Sequence, residues 1–348
     1  MLGLSVNHSG RLGWLDFGKA AGILVVLLVH AECSLGPVSF YGGMFYMPVF
    51  FVAAGYTYRI KEESFGAFVR KKAVRLLGPY AGTSAFLWLF FWIKDSLLAG
   101  NPADIHLPAL FGILYSRNQM FAAAHPGENP VLMTLLNAPL WFLTAMFLTY
   151  VWYGWISRRK KRYIWLAAGA VLAGVWHYGT DVLLPWSLDA VPYFACFMAL
   201  GEQLRLKNRI VRLTEKGNRW MGAELLVCFA LAARLNGSVN LSIGEYGHSM
   251  LLYLAVGTAG SMLVFLAGAY LEKFCAPLSR LLETAGRQTL TILCFYMFLF
   301  MFIRTGAGIL GISSGAEKLL LVSASFVLLT AAGEVLQNAR IRLRRSGK

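Results

Sequence analysis

Long apolar runs separated by short polar breaks extend along almost the whole chain. Ten of them read as membrane-crossing segments, near residues 19–37, 41–58, 76–94, 138–156, 163–179, 186–204, 219–235, 249–271, 288–304 and 317–336. Lipid offers no water to unpaired backbone groups, so a crossing segment must satisfy its N–H and C=O groups internally. The runs do not alternate with period two, and they are predicted to be α-helices of about twenty residues. The second, fifth and sixth runs are short or carry polar groups. Pro37 and Pro48 mark places where a span breaks.

The pattern predicts an all-α fold: a polytopic membrane helix bundle of about ten transmembrane helices with both termini cytoplasmic. Residues 1–348 read as a single integral membrane domain. It has a short N-terminal segment at 1–18 and a basic tail at 340–348. The first run contains His30 and Glu32, and no small-residue cleavage site follows it, so it is expected to stay as a span.

Composition agrees with this class. Charged residues make up 14% of the chain, against about 25% in soluble domains. The mean hydropathy is +0.58. The net charge of +15 would suit a nucleic-acid partner, but its distribution argues against one. With the N-terminus inside, 27 of the 32 Lys and Arg residues fall in the segments that would face the cytoplasm. Lys94, Arg117, Arg234, Arg304 and Lys318 stay outside. That asymmetry is the positive-inside signal, and it requires an even number of spans. Cys33, Cys196, Cys228, Cys275 and Cys294 lie in apolar context without metal-ligand spacing, so they are expected to be packing residues, and no metal is expected.

Two external loops stand out. Residues 95–137 form a long connection with Pro, Asn, Gly and two histidines. A connection of that length is usually functional or disordered. The segment Asn236 to His248 is rich in turn formers and hydrogen-bonding side chains.

The most informative chemistry lies in the first run, Asp16-Phe-Gly-Lys19 followed by ten residues and then His30. Eleven helical positions return to within roughly 20° of the start, so Lys19 and His30 share a face about 16 Å apart. An ionisable group buried in lipid costs a few kcal/mol, which makes His30 a functional candidate. Asp16 and Lys19 are three apart and can pair on one helix face. Glu32 points away from His30 in a regular helix.

Several stretches together resemble the acyltransferase 3 superfamily of integral membrane acyltransferases, and within it the fucose 4-O-acetylase-like branch. They are Arg11 to Lys19 leading to His30, and Met44-Phe-Tyr46-Met-Pro48-Val-Phe50-Phe51 through Gly55-Tyr56. The others are Arg70 to Arg75 followed by Pro79-Tyr80, Pro139-Leu-Trp141-Phe142-Leu143, and Gly286-Arg-Gln-Thr289-Leu290. Their order spans almost the whole chain. Three positions depart from the family pattern: Lys19 stands for an Arg, and Tyr46 and Tyr296 stand for histidines.

The resemblance implies transfer of an acetyl or similar acyl group from cytoplasmic acyl-CoA to a sugar hydroxyl, with acetyl-CoA as co-substrate. His30 suits a general base or a nucleophile, and the base is preferred. Asp16 and Lys19 either anchor the first span or help hold CoA phosphate. Arg59, Arg70, Arg75 and Tyr80 are candidates for CoA binding, against a simpler reading as topology markers and lipid contacts. Trp141, Asn236 and Glu245 are candidates for acceptor contacts, against belt and turn chemistry. His106, His125 and His177 read as loop or interface residues, and His8 as part of a disordered terminus. The expected partners are a glycan or lipid-linked saccharide and membrane lipid, with no nucleic acid. The expected location is a bacterial inner membrane. Competing readings are a transporter or flippase of a lipid-linked sugar and a non-catalytic membrane scaffold.

Overall fold

A computed structural model of the chain describes residues 12–60, 63–99, 103–122, 129–215 and 219–346. These residues form helices and short turns, and no strand occurs among them. In chain order the helices are α1 (Gly13–His30), α2 (Pro37–Phe45), α3 (Pro48–Thr57), α4 (Phe65–Ala99) and α5 (Ala103–Tyr115). Next come α6 (Trp141–Ile156), α7 (Arg162–Gly179), α8 (Val191–Leu206), α9 (Arg209–Thr214) and α10 (Arg219–Asn236). The last four are α11 (Met250–Phe274), α12 (Ala276–Arg287), α13 (Thr289–Ile309) and α14 (Ser314–Ser346). The chain is a membrane helix bundle, as its apolar pattern requires.

Among the described residues, α1, α4, α11, α13 and α14 are long and apolar enough to cross a bilayer, and the pair α2–α3, bent by 40°, makes a sixth. Four further segments expected as spans are shorter or more polar. Helices α6 and α8 have 16 residues each. At 1.5 Å per residue that is about 24 Å, short of a ~30 Å hydrocarbon core. Helix α10 carries Arg219, Glu224 and Arg234 within 18 residues. Helix α7 starts at Arg162 and ends in Trp176-His177-Tyr178.

Two compact units organise these helices. One comprises residues up to Ala53, Gln203–Ser238 and Leu251–Lys348; the other comprises Ala54–Glu202 and Val239–Met250.

In the first unit α1 packs chiefly on α12, with α2, α13 and α14 completing its surroundings. Small residues permit the approach. A Cβ placed on Gly286 would collide with the Asp16 backbone carbonyl, and one on Gly18 would run into the Phe265 ring. The Trp14 and Phe265 rings meet edge to face at 5.5 Å. Further along α1, Ile23, Val26, Leu27 and Leu28 join Ile292, Tyr296 and Phe300 of α13 and Leu321 and Val322 of α14 in one apolar cluster. The predicted break at Pro48 is present. Proline at the first position of α3 has no N–H to lose there, and the chain bends at Tyr46-Met47.

In the second unit α4 runs for 35 residues, about 52 Å. It therefore exceeds the hydrocarbon thickness and carries the basic run Arg70 to Arg75 on its first turns. The connection expected as an external loop instead contains α5, which folds back along α4. His106 meets Asp95 at 2.9 Å, the Trp88 indole donates to the His106 carbonyl at 3.0 Å, and the Tyr80 hydroxyl donates to the Ile113 carbonyl at 2.5 Å. His106 is thus a buried helical residue with a carboxylate partner rather than an unsupported loop histidine. The partner lies eleven positions earlier, so helical spacing could not reveal it. Arg117, expected on the outside, is fully buried and paired with Asp189 at 2.9 Å. At the junction of α6, α7 and α8, buried Glu202 accepts from the Tyr153 hydroxyl at 2.6 Å and from Arg162 at 3.2 Å. The carboxylate is thereby solvated by protein.

Gly286→Ala is expected to destabilise the protein by roughly 1–3 kcal/mol, because α12 must retreat from α1. Gly78→Ala, where no atom lies within 4 Å of the added methyl, is expected to be neutral or mildly stabilising. Unfolding of the two variants in detergent tests this. Equal stability of Gly286→Ala and wild type would refute the close α1–α12 contact.

Candidate functional site

Helix α1 holds the polar residues of the first unit at its two ends. At the start Asp16 is buried and pairs with Lys19 at 2.5 Å. Leu12 supplies no side-chain cap. The carboxylate of Glu272 on α11 takes that place by accepting the Trp14 backbone N–H. A negative group at the positive end of the helix dipole is favourable. Glu283 of α12 lies close enough to Glu272 to repel it and accepts from the Ser279 hydroxyl at 2.8 Å. This acidic collar is tertiary, and nothing in the local sequence around α1 announces it.

At the other end, His30 is the last residue of α1 and is half-buried. Its Nδ1 lies 2.9 Å from the Val26 carbonyl oxygen. A carbonyl only accepts, so Nδ1 carries the proton in this arrangement and Nε2 keeps its lone pair. The imidazole meets the Tyr296 ring edge to face at 5.5 Å. The Tyr296 side chain is fully buried, and its hydroxyl has no hydrogen-bond partner among the described residues. Tyr46, at the α2–α3 bend, packs on the same cluster and lies close enough to Tyr296 to interact electrostatically. The two tyrosines at the positions of the family's histidines are therefore gathered beside the histidine that remains. Glu32 takes no part. The helix has already ended, Glu32 adopts φ +53°, and its side chain is exposed.

The remaining predicted residues are spread more widely. Lys19 and His30 occupy opposite ends of α1, as their separation in sequence requires. Arg70 and Arg75 are exposed on the first turns of α4. Between them Lys72 folds over the Tyr150 ring at 3.5 Å. The Arg59 guanidinium donates to the Tyr56 and Tyr58 carbonyls at 3.0 and 2.9 Å, closing the end of α3. Lone carbonyls at a helix C-terminus favour such a cation. The Tyr80 hydroxyl is committed to α5 and lies beside Ser116. Trp141 is buried at the start of α6, edge to face with Phe142, and offers no open ring face. Asn236 is buried at the end of α10 in the first unit. Glu245 is exposed in the second unit and shares paired backbone hydrogen bonds with Asn240. His8, Arg11, Lys61 and His125 lie outside the described residues. Cys33, Cys196 and Cys294 are buried, whereas Cys228 and Cys275 are exposed. Among the described residues, no three His, Cys, Asp or Glu side chains are grouped to hold a metal ion.

A family model described as an acyltransferase domain, of the acyltransferase 3 type, matches residues 12–336. The chain belongs to that family. No curated protein and no solved structure matches it. Family membership supports acyltransferase activity in general terms, and the apolar helices make this acyltransferase a multi-pass integral membrane protein.

Tyr80→Phe is expected to lower the acyltransferase's stability by about 1 kcal/mol, the usual net worth of a hydrogen bond, by loosening α5 from α4. Denaturant unfolding of the solubilised variant measures it, and no loss would show that the contact contributes nothing.

Proposed function

We propose that this acyltransferase moves an acetyl group from cytoplasmic acetyl-CoA to a hydroxyl of a cell-surface polysaccharide or lipid-linked glycan, as a member of the fucose 4-O-acetylase-like branch. The whole chain acts as one module in a bacterial inner membrane, with both termini on the cytoplasmic side. The charge asymmetry along the sequence supports that orientation.

The observation that carries the reading is the state of His30. Its Nδ1–H is engaged by the Val26 carbonyl, which leaves Nε2 as the basic atom. In the proposed reaction Nε2 removes the proton from the acceptor hydroxyl as its oxygen attacks the thioester carbonyl. The carbon–sulfur bond breaks, and the departing CoA thiolate takes the proton back from the imidazolium. An imidazole is suited to both transfers because its ordinary pKa lies near neutrality. The tautomer suits a general base and a nucleophile alike, since Nε2 is the reactive atom in both roles.

Lys19, although paired with Asp16, and the exposed Arg70 and Arg75 are each candidates for meeting the 3′-phosphate or pyrophosphate of CoA. Lys19 acts as a point charge rather than as a fork. The Arg59 guanidinium is occupied by two carbonyls and contributes only its field. Tyr80, Trp141, Asn236 and Glu245 remain candidates for shaping the donor and acceptor paths. Of these, Glu245 alone presents an exposed side chain.

His30→Ala is expected to lower acetyl transfer at least ~100-fold, the lower bound for losing a positioned base, while leaving the unfolding midpoint near that of wild type. The assay compares glycans from cells carrying each form by mass, seeking the loss of one acetyl group. Full transfer by a correctly inserted His30→Ala protein would overturn the mechanism.

A further inference from the structure

Arg117 is the one fully buried arginine among the described residues. It follows α5 in the second unit, next to Ser116, which bonds to Thr144 of α6 at 2.9 Å. Because α5 folds back along α4, Arg117 follows the residues that meet Tyr80, Ile113 and Ser116, and sits near its level. Fifteen residues of α4 separate Tyr80 from Asp95, a depth of about 22 Å. A buried arginine in a membrane protein requires a partner and is a functional candidate by default.

The partner accounts for only part of the guanidinium. Nη1 donates to Asp189 Oδ1 at 2.9 Å, and the same oxygen accepts the Leu184 N–H at 3.1 Å. Nε and Nη2 have no acceptor among the described residues, although neither is exposed. Those two nitrogens form one edge of the group, with parallel N–H bonds that match the spacing of two oxygens on a carboxylate or phosphate. Leaving such charged donors unmatched in a low-dielectric interior is unfavourable. Beside Nη2 stands Gly244, whose φ of +77° favours glycine; a Cβ there would lie 3.8 Å from Nη2. Two further buried polar atoms near in sequence to the pair, Asn118 Oδ1 and Ser187 Oγ, also have no partner among the described residues. The segments around Arg117, residues 184–189 and Gly244, are turns rather than continuous helix, so the edge can be reached without unwinding a span.

We propose that the Nε/Nη2 edge of Arg117 is a binding site for an oxyanion, a carboxylate or phosphate borne by the acyl acceptor. The carboxylate would belong to an acidic sugar and the phosphate to a lipid carrier. Asp189 neutralises the guanidinium in the absence of ligand and fixes its plane, and the ligand's two oxygens complete the donor set. The assignment to the acceptor rests on the proposed transferase reading; the binding itself does not.

The test uses the full chain in neutral detergent and follows its unfolding midpoint against glucuronate, glucose 1-phosphate and neutral glucose. One of the two anions is expected to raise the midpoint by about 2 °C or more, and glucose is not. The effective anion names the source, sugar acid or carrier phosphate. Arg117→Lys keeps a charge for Asp189 but loses the two-pronged edge, so apparent affinity is expected to fall at least ~10-fold. Asp189→Asn removes the competing carboxylate and is expected to bind the anion at least as tightly as wild type. This second variant keeps the test decisive if Arg117→Lys fails to fold. The site is refuted if neither anion shifts the wild type, if Arg117→Lys responds like wild type, or if folded Asp189→Asn loses the response. The readout needs no acyl transfer, so its failure leaves the His30 mechanism standing, and failure of the His30 assay leaves this shift intact.

Discussion

The first helix depends on neighbours that come within reach of its backbone. Its polar residues lie in a chain otherwise built to exclude them, and water is scarce where they sit. At Gly286 the approach of α12 is so close that a single methyl would meet the Asp16 carbonyl. That proximity brings the Glu283 carboxylate to the start of α1, while the adjoining α11 brings Glu272 to the Trp14 amide. The Trp14 N–H is thereby met from another helix, while the Leu15 and Asp16 N–H groups turn to the Leu12 carbonyl. The same packing holds Asp16 where Lys19 can neutralise it. Farther along, the apolar cluster of α1, α13 and α14 fixes the rotation of α1 and so brings His30 against Tyr296.

What the sequence disclosed follows from how local each signal is. Helical class, the break at Pro48 and the shared face of Lys19 and His30 are properties of short stretches, and the structure reproduces them. Five helices and one bent pair are long and apolar enough to cross a bilayer, and the other four expected spans are shorter or more polar. Helices α6 and α8 are apolar but stop at sixteen residues. The segment after α4 was misread. Its composition resembles that of an exposed loop, yet Asp95, His106, Tyr80 and Ile113 pair across long separations and draw α5 back along α4. No period in the sequence encodes a contact between residues 80 and 113. The acidic collar at α1 was missed on the same grounds, since Glu272 and Glu283 lie far along the chain from the helix they serve.

Two of the three departures from the family pattern, Tyr46 and Tyr296, acquire a different meaning once placed. Considered alone, Tyr46 and Tyr296 look like losses of function, because a phenol is a far weaker base than an imidazole near neutral pH. In the structure Tyr296 belongs to the apolar cluster of α1, α13 and α14 and meets the His30 ring edge to face, and Tyr46 packs against that cluster. A phenol keeps the hydrogen-bond donor of a protonated imidazole and gives up its basicity. In the proposed reaction neither phenol competes with His30 for the proton near neutral pH. The Tyr296 hydroxyl is buried and has no hydrogen-bond partner among the described residues, so it retains a donor to offer.

Several buried carboxylates in this protein are met by donors of the fold, whereas Glu272 keeps one oxygen, Oε1, without a partner among the described residues. Glu202 is met by Tyr153 and Arg162, Glu283 by Ser279, and Asp16 by Lys19, so each carboxylate has donors supplied by the fold. Carboxylates are acceptors on every side, and a few donors satisfy them. Arg117 presents the opposite problem: five donors in a rigid plane, which one carboxylate oxygen cannot satisfy. A fold that needed only to neutralise a stray cation would be served as well by lysine, whose donors cluster at one point, or by an apolar residue of similar volume. The Nε and Nη2 of this planar fork have no acceptor among the described residues, and the proposed oxyanion would complete them. This is the physical distinction between a structural ion pair and a recognition element.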